Sequence, residues 1–584
     1  MSYSKYFNNK NIPQTQPLPG ENMEKNNAGG YSHVISIWDR LNRFLVLGSE
    51  GNTYYVSERK MTLNNAECVK ECLREDGKRV VDMICEISDN GRAAKNTPAI
   101  FALAMAASFG LGKVDSIARP DAVKSNSKNT KNKSKNKSEE KSDWDNALEI
   151  RSYALKAFSD RKVVRTGSHL FEFAQFVDTF RGWGPSLHKA FMEWYCNIDV
   201  SDLAYQIVKY PSRITEEGNA SSRWSHRDIL RKRLGASKEK NRNAVFDYAV
   251  HDTNKLWSNT NWIKTEKARE ELSPIIGNIA IRKATTAKEV ASIISKHNLP
   301  HECVPTEFKK DHKVWEALLP SMPLHATVRS LGAMTANDFL KPLSDACSQI
   351  VDKLNNEAYI HKSRMHPITM LSALKTYSSG RGFKGSLSWT PVQNVVDAMD
   401  SAMYMSFDNV EPTNKNILLA LDVSGSMGGA TVMGMNNLTA REACACMALA
   451  IAKTEKNYHI MGFSNSFMEL KISPKQRIDD VCKYMNSLPF DSTDCSLPMI
   501  YALKNKMKID AFIVMTDNET YAGKMHPSEA LKEYRNKINP NAKLIVVATT
   551  ATGFSIGCDN DPNVLQIAGF DSAAPALISD FIRN

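Results

Sequence analysis

The sequence predicts a multidomain protein in which an all-α region precedes an α/β domain with a parallel sheet. Three observations lead to this prediction. The chain has 584 residues, several times the usual length of one domain. Apolar residues recur at three- and four-residue spacings through most of residues 64–353, which is the period of amphipathic helices. Beyond Pro412, apolar strands alternate with helical segments, a pattern typical of a parallel sheet covered by helices.

Several helix starts can be read from the first half of the chain. Thr97 precedes Pro98, and proline is favoured at the first helical position. Ser225 and Asp228 have the spacing of a capping box, and another helix is expected to open at residues 201–202. Successive helices without an obvious strand favour a stack of helical repeats, although no fixed repeat period is visible.

The second half is predicted element by element. Strands are expected at Asn416–Leu421, Tyr458–Phe463, Ala511–Met515 and Lys543–Ala548, and helices at Ala440–Lys453 and Pro527–Lys537. Open sheets of this kind bind ligands at the carboxyl ends of their strands. The residues that directly follow these strands are therefore the first candidates for a functional site.

Composition excludes several classes of protein. Hydrophobic residues make up 42% of the chain and charged residues 24%, which excludes disorder of the whole. The longest apolar stretch, Pro98–Gly112, is shorter than the roughly 20 residues of a bilayer-spanning helix, so it predicts a buried helix and no membrane. The first residues lack a signal-peptide pattern, and the eleven cysteines contain no CxxC pair. We therefore expect no disulfide framework, no structural zinc site and a cytoplasmic protein.

The formal charge of +11 is unevenly distributed. Residues 415–584 contain as many basic as acidic side chains, so the excess belongs to residues 1–414. This asymmetry indicates an anionic partner, with nucleic acid the first candidate. Part of the excess lies in the Lys-, Asn- and Ser-rich insert 124–141, which is expected to be a disordered, solvated loop. Residues 1–30 are expected to be a flexible N-terminus.

The segment 205–242 combines positive charge with aromatic residues. It contains ten Lys or Arg residues against four acids, with aromatic side chains between them. Basic groups that reach phosphates and aromatics that stack on bases are typical of RNA binding. The structural alternative is a solvated face, with His226 in the first turn of a capped helix and Trp224 packed on the core.

Oxygen-rich side chains follow three segments of the α/β half. Asp422, Ser424 and Ser426 come directly after the first strand, Thr493 lies in a polar loop, and Asp517 follows the third strand. Hard divalent cations such as Mg²⁺ take oxygen ligands of this kind. In the alternative interpretation the two aspartates are ordinary strand-end caps. A serine hydrolase is disfavoured, because no G-x-S-x-G sequence surrounds either serine.

This constellation resembles the metal-ion-dependent adhesion site of von Willebrand factor A domains. The resemblance implies that Asp422, Ser424, Ser426, Thr493 and Asp517 hold a divalent metal ion, directly or through water. The ligand chemistry makes Mg²⁺ the first candidate. The resemblance also implies that the ion keeps a vacant position for an acidic group of a protein partner.

Short motifs in both halves resemble the Ro ribonucleoprotein family, that is, TROVE-domain proteins. They are Phe44–Tyr55, Lys209–Arg213, Trp224–Asp228, Met322–Leu324, Leu331–Thr335, Thr376–Gly382, Thr493–Met499 and Thr516–Thr520. The match runs in order from about Trp38 to the C-terminus. The resemblance implies a ring of HEAT-like helical repeats over residues 31–411, closed by a Rossmann-like von Willebrand factor A domain over residues 412–584.

The resemblance also implies a function. Y-type small non-coding RNA is expected on the outer surface of the ring, and single-stranded 3′ ends of misfolded RNAs in its hole, as in RNA quality control. The expected RNA-binding residues are Lys209, Arg213, Arg223, His226, Arg227 and Arg231. The protein is expected to be a monomer and not an enzyme, with an exoribonuclease or another protein docking at the metal site.

One alternative function comes from a different class. In it the protein is a metal-dependent protein-adhesion module, and RNA binding is incidental. An RNA-processing enzyme is disfavoured, since two-metal nucleases need a cluster of carboxylates and the sequence offers a hydroxyl-rich site.

Overall fold

The computed structural model of the chain describes most of its residues. These are 11–48, 62–63, 66–117, 134–211, 224–232, 234–382, 386–407, 411–429, 431–432, 435–489 and 491–584, with the backbone alone for 134–141, 431 and 435–436. Within this part of the chain, no helix is long and apolar enough to cross a membrane.

A short hairpin and a long series of helices form the first part of the structure. The hairpin is β1 (Met23–Lys25) and β2 (Tyr31–Val34). The described helices are α1 (Ile37–Leu47), α2 (Glu67–Asp89), α3 (Thr97–Ala106), α4 (Ser134–Ser159), α5 (Gly167–Phe180), α6 (Pro185–Cys196), α7 (Val200–Lys209), α8 (His226–Leu230), α9 (Lys240–His251), α10 (Glu266–Glu271), α11 (Ser273–Ile281), α12 (Ala287–His297), α13 (His312–Leu318), α14 (Leu324–Ala336), α15 (Asp345–Leu354), α16 (Glu357–Ser363), α17 (Pro367–Ser378) and α18 (Gln393–Met405).

The predicted helix starts are confirmed with small shifts. Helix α3 begins at Thr97 with a proline in its first turn, and Ser225 and Asp228 form the expected capping box at α8. Helix α7 begins at Val200, one residue before the predicted start. The apolar stretch is a buried helix only as far as Ala106. The chain then turns, and glycine is required at Gly112, where φ is +60° and a Cβ would lie 2.3 Å from the Phe180 carbonyl oxygen.

The helical series closes on itself. The guanidinium of Arg364, between α16 and α17, donates to the Asp89 carbonyl over 2.6 Å and to the Asp89 carboxylate over 2.8 Å. Nearby, Nε2 of His366 donates to the Arg92 carbonyl over 3.0 Å. The start of α17 therefore meets the end of α2, which confirms the closed arrangement of helices that the family resemblance implied.

The insert differs in part from the prediction of a disordered loop. Residues 124–133 lie outside the described residues, but 134–141 form the first turns of α4. The same helix buries Ala147, Ile150 and Phe158 further along. Once such contacts hold a helix in place, each further residue that joins it adds one backbone hydrogen bond. This accounts for the helical structure of the polar residues 134–141.

The second part of the structure is the α/β domain. Its described elements are β3 (Asn416–Asp422), α19 (Gly425–Gly429), β4 (Thr431–Val432), β5 (Met435–Thr439), α20 (Ala440–Thr454), β6 (Asn457–Phe463), β7 (Phe467–Glu469), α21 (Ile478–Ser487), α22 (Leu497–Lys504), β8 (Ala511–Thr516), α23 (Pro527–Lys537), β9 (Lys543–Ala548), β10 (Phe554–Ser555), β11 (Val564–Ala568) and α24 (Ala574–Arg583). The main sheet has the order β11-β9-β8-β3-β6-β7, and only β7 runs antiparallel to its neighbour. The four predicted strands and both predicted helices are confirmed.

The N-terminal segment is ordered where the sequence predicted flexibility. Residues 1–10 lie outside the described residues, but the prediction is wrong for residues 11–30. Strand β2 pairs with both β1 and β10, so the hairpin forms a three-stranded sheet with the α/β domain. Gln14 is fully buried, accepts from Thr520 Oγ1 over 2.6 Å and donates to Asp494 over 2.8 Å. A polar residue such as Gln14 is expected to be exposed to solvent. Here its hydrogen bonds compensate for burial.

Helix α1 attaches to the α/β domain through a buried arginine. The guanidinium of Arg43 donates to the carbonyls of Thr552 and Phe554 over 3.0 and 2.8 Å, and to Gln566 over 3.1 Å. Burial lowers the pKa of Arg43 to about 10. The guanidinium therefore stays charged at neutral pH and satisfies two carbonyl groups from the other domain.

Replacing this arginine should destabilise the protein. In Arg43→Met the buried carbonyls lose their donor, which should lower the free energy of unfolding by roughly 1–3 kcal/mol. Arg40→Met is the control, because Arg40 is partly exposed and pairs with Glu71 at the surface, an interaction worth about 1 kcal/mol or less. Denaturant unfolding measures both. Equal losses in the two variants would contradict the role of Arg43.

Candidate metal centre and nucleic-acid interface

The candidate metal centre lies at the carboxyl ends of two neighbouring strands. Asp422 is the last residue of β3 and Asp517 follows β8, and these strands pair in parallel. The loop that contains Thr493 contacts the residues after both strands through backbone hydrogen bonds. The amide of Gly425 donates to the Asp491 carbonyl over 3.4 Å, and the amide of Tyr521 donates to the Thr493 carbonyl over 3.1 Å. The structure therefore brings the three predicted loops together at one edge of the sheet.

The side chains of the centre are buried and mostly hydrogen-bonded to one another. Asp422 accepts from the Ser424 amide over 2.9 Å and from the Thr516 hydroxyl over 2.7 Å. The hydroxyls of Ser424 and Ser426 lie 3.0 Å apart. Thr493 is also buried. All five predicted ligands are thus inaccessible to bulk solvent, and the hydroxyl of Thr516 is an anchor that sequence reasoning did not select.

One carboxylate oxygen of the centre has no protein partner. Asp517 Oδ1 accepts from the Glu519 amide over 3.0 Å, whereas Oδ2 is buried and makes no hydrogen bond within the described residues. Buried polar atoms of this kind are uncommon and call for an explanation. A cation beside Oδ2 would supply the missing interaction.

The electrostatics of the centre also fit a cation. Burial, and next the charge of Asp517, raise the pKa of Asp422 to about 7. Burial raises the pKa of Asp517 as well, although the Ser426 hydroxyl and the Glu519 amide oppose the shift. Two buried carboxylates that repel each other are costly without positive charge. Carboxylate and hydroxyl oxygens are hard donors, so the residues present fit Mg²⁺.

Glu519 is a further charged group at the centre that the sequence analysis missed as a site residue. Its carboxylate is buried and accepts from the Asn27 side-chain amide over 2.6 Å and from the Ala28 amide over 3.0 Å. Burial, and next the charge of Asp517, raise its pKa to about 7. The N-terminal segment therefore packs directly beside the candidate metal centre. No local sequence signal could have indicated this contact.

The candidate nucleic-acid interface is described only in part. Arg213 and Arg223 lie outside the described residues. Lys209 is in the last turn of α7, and its ammonium lies 5.9 and 5.7 Å from the ring centroids of Tyr205 and Tyr210. Arg231 is exposed at the end of α8. Within the described part of the chain, neither Lys209 nor Arg231 forms an ion pair, so both charges are available to a ligand.

His226 is buried, unlike the other predicted RNA-binding residues. Its Nδ1 lies 2.9 Å from the Tyr195 hydroxyl, and its ring meets Phe171 edge to face at 4.9 Å. Burial lowers the pKa of His226 to about 3. The imidazole is therefore neutral at physiological pH and offers a hydrogen bond but no charge to a partner.

A cavity of about 270 Å³ lies next to this histidine. Nε2 of His226 and Nε of Arg227 are buried without a partner among the described residues, and both side chains line the cavity. Its wall also includes Tyr210, Tyr248, Arg282 and the acidic Asp252. Tyr248 lies in α9 and Arg282 directly follows α11, so the sequence did not place them beside α8.

One member of the basic segment has a structural role. Arg242 is buried and donates to the carbonyls of Tyr195 and Ile198 over 2.6 and 2.7 Å. It is therefore not available to phosphates, although it was counted in the positive charge of the segment. The ammonium of Lys232, in contrast, lies 5.4 and 5.1 Å from the ring centroids of Trp183 and Trp224.

Comparison with known proteins places these observations in a family. The family model of the TROVE domain matches residues 24–379, and the model of the Ro60 vWA domain matches residues 416–582. The chain is 33% identical over 579 residues to the RNA-binding protein RO60 of Deinococcus radiodurans, covering 99% of this chain and 98% of that protein.

Two further comparisons agree. The chain is 32% identical over 625 residues to the RNA-binding protein RO60 of Caenorhabditis elegans, covering 98% of this chain and 92% of that protein. The crystal structure of the Deinococcus radiodurans RO (RSR) protein superposes with a TM-score of 0.65 at 33% identity, covering 94% of this chain and 99% of that one. With family matches in both domains and similarity along nearly its whole length, the chain belongs to the Ro family of TROVE-domain proteins.

Proposed function

We propose that this protein is a non-enzymatic RNA-binding scaffold. Its helical region binds a Y-type small non-coding RNA on the outer surface of the ring, and single-stranded 3′ ends of misfolded RNAs enter the hole of the ring. The names of two relatives as RNA-binding proteins support the class of ligand. The whole positive charge excess lies in the same part of the chain, which favours an RNA partner there.

The observation that carries the proposal is the cavity beside His226. It combines an unpartnered hydrogen-bonding nitrogen, the side chain of Arg227 and two tyrosine rings in one recess. Unpaired RNA bases are recognised through stacking on aromatic rings and hydrogen bonds to their edges. Lys209 and Arg231 at the two flanking helix ends would contact phosphates, so the site offers both kinds of RNA contact.

The α/β domain has a separate role in this proposal. Asp422, Ser424, Ser426, Thr493 and Asp517 would hold a Mg²⁺ ion. When bound, the ion supplies a coordination position for a carboxylate of a protein partner. An exoribonuclease that receives defective RNA is one partner of this kind.

The unpartnered Asp517 Oδ2 also favours a second candidate function, a protein-adhesion module to which RNA binding is incidental. The two functions respond to different treatments. RNA binding should weaken steeply as salt is added, whereas metal-dependent capture of a protein should be abolished by a chelator.

We further propose that the protein acts as a monomer in the cytoplasm. All eleven of its cysteines are free thiols in the structure, which suits a reducing compartment. Sequencing the RNA that co-purifies with the protein tests the main proposal, because it identifies the ligand and its class together. Recovery of a carboxylate-rich protein without RNA would favour the adhesion module.

Neutralising the described cationic residues should weaken RNA binding. The triple variant Lys209→Gln, Arg227→Gln and Arg231→Gln should lower affinity and flatten the slope of log K against log salt by up to three contacts, roughly 0.7–0.9 each. Filter binding of a structured RNA over a salt series measures both quantities.

A matched control separates local contacts from net charge. Lys504, Lys506 and Lys508 are exposed in the α/β domain, and changing all three to Gln removes the same number of charges. This control should bind RNA as the wild type does. Wild-type affinity and salt slope in the first triple variant would place the RNA site elsewhere.

The histidine should contribute differently from the cations. Because its imidazole is neutral, His226→Ala should weaken RNA binding by about 1–3 kcal/mol, the cost of a lost buried hydrogen bond, with little change in salt slope. The loss should be constant between about pH 6 and 8, because the pKa of His226 in the folded protein, about 3, lies far below this range. Tyr195→Phe is the control, since it removes the other bond of the histidine without changing the cavity. Equal losses in both variants would mean that the effect is structural.

Removing the metal centre should leave RNA binding nearly unchanged. Asp422→Asn with Asp517→Asn should abolish Mg²⁺ binding, measured by calorimetry, while RNA affinity stays within a few-fold of the wild type. The physical reason is that the basic groups lie in the helical region. Loss of RNA binding by a folded, monomeric double variant would contradict this separation of roles.

A further inference from the structure

Three potential metal ligands meet where the N-terminal hairpin joins the α/β domain. The ligand atoms of Glu21, His33 and Cys558 all lie within 4.8 Å of one another. Glu21 precedes β1, His33 lies in β2, and Cys558 follows β10. These strands form one three-stranded sheet, so a single tertiary element brings together residues from opposite ends of the chain.

We propose that Glu21, His33 and Cys558 form a second metal site, which binds Zn²⁺ or a chemically similar transition-metal ion. A thiolate, an imidazole and a carboxylate are the three ligand types that zinc takes in proteins. The soft sulfur ligand distinguishes this site from the oxygen-only centre of the α/β domain. Three protein ligands leave one position of a tetrahedral ion for water.

The space around the cluster accommodates an ion with its water. The three residues line a cavity of about 250 Å³ together with Ser36, Asp559 and other polar residues. Cys558 is partly exposed and Glu21 is exposed, so the cavity opens to solvent. An ion can therefore enter without unfolding of the hairpin.

The backbone around the cluster is held in position before any metal arrives. His33 faces Met23 and Ser555 in the two strand pairings. The carboxylate of Asp559 accepts from the Ser36 amide over 2.8 Å, which ties the loop after β10 to the end of β2. Ligands that are already fixed lose little conformational entropy on binding.

The imidazole of His33 already has a hydrogen-bond partner at one of its two ring nitrogens. Its Nε2 lies 3.1 Å from the Ser528 hydroxyl, which leaves Nδ1 for a metal ion. A hydrogen bond to the second ring nitrogen is the usual way in which a metal-binding histidine is oriented.

The expected consequence of metal binding is a tighter attachment of the N-terminal hairpin. His33 belongs to the hairpin and Glu21 lies just before it, whereas Cys558 belongs to the α/β domain. An ion that binds only the folded arrangement stabilises it by RT ln(1 + c/Kd), where c is the ion concentration, so the gain grows with the logarithm of that concentration. This inference does not depend on the proposed RNA function.

Cobalt titration of the untagged, full-length protein tests the site directly. Co²⁺ replaces Zn²⁺ and reports a thiolate ligand through a sulfur-to-cobalt charge-transfer band. The wild type should develop this band with one equivalent of Co²⁺, and added Zn²⁺ should remove it. Cys558→Ser should show no band, whereas Cys196→Ser, which changes an exposed cysteine elsewhere, should keep it.

Two further variants define the ligand set. Glu21→Gln should weaken Co²⁺ binding by about tenfold or more, since even changes beside a metal ligand have effects of this size. Asp422→Asn should leave the band unchanged, because it alters only the oxygen-rich centre. Zn²⁺ should raise the melting temperature of the wild type and not that of Cys558→Ser. A wild type without the band, or a band that persists in Cys558→Ser, would overturn the proposal.

Discussion

The structure depends on polar groups buried between the α/β domain and both ends of the helical region. At one end, Arg43 donates to two carbonyls of the α/β domain, and Gln14 is buried against it. At the other end, Lys375 contacts the buried carboxylate of Glu442 over 2.5 Å. A buried polar group that loses its partner costs about 1–3 kcal/mol. The helical series is therefore held at both ends, and its first and last parts are brought together at Asp89.

This arrangement explains why the α/β domain offers two chemically different candidate metal sites. The first is built from loops of one domain and uses oxygen atoms only. The second exists only where the N-terminal hairpin is docked, because one of its three residues, His33, lies in that hairpin and another, Glu21, lies just before it. Glu519, which accepts hydrogen bonds from residues 27–28, lies beside the first site. The N-terminal segment that carries the hairpin therefore lies next to both sites.

The candidate RNA interface combines two kinds of group that differ in burial. Lys209 and Arg231 keep their charges near the surface, where attraction to phosphates is strong and sensitive to salt. His226 is neutral and buried, so it can offer a hydrogen bond but no charge. The basic segment is thus not uniform, since Arg242 within it is buried and donates to backbone carbonyls and to Glu239.

The sequence by itself determined the two-part fold, the central strands and the oxygen-bearing side chains that directly follow two of them. It could do so because hydrophobic periodicity, capping residues and strand ends are properties of neighbouring residues. Only the tertiary structure decided that residues 11–30 are ordered, that Glu519 meets Asn27 and that Cys558 meets His33. These pairs lie hundreds of residues apart, and such contacts arise from how whole elements pack. No local sequence pattern predicts this packing, because it is selected by the free energy of the whole folded chain.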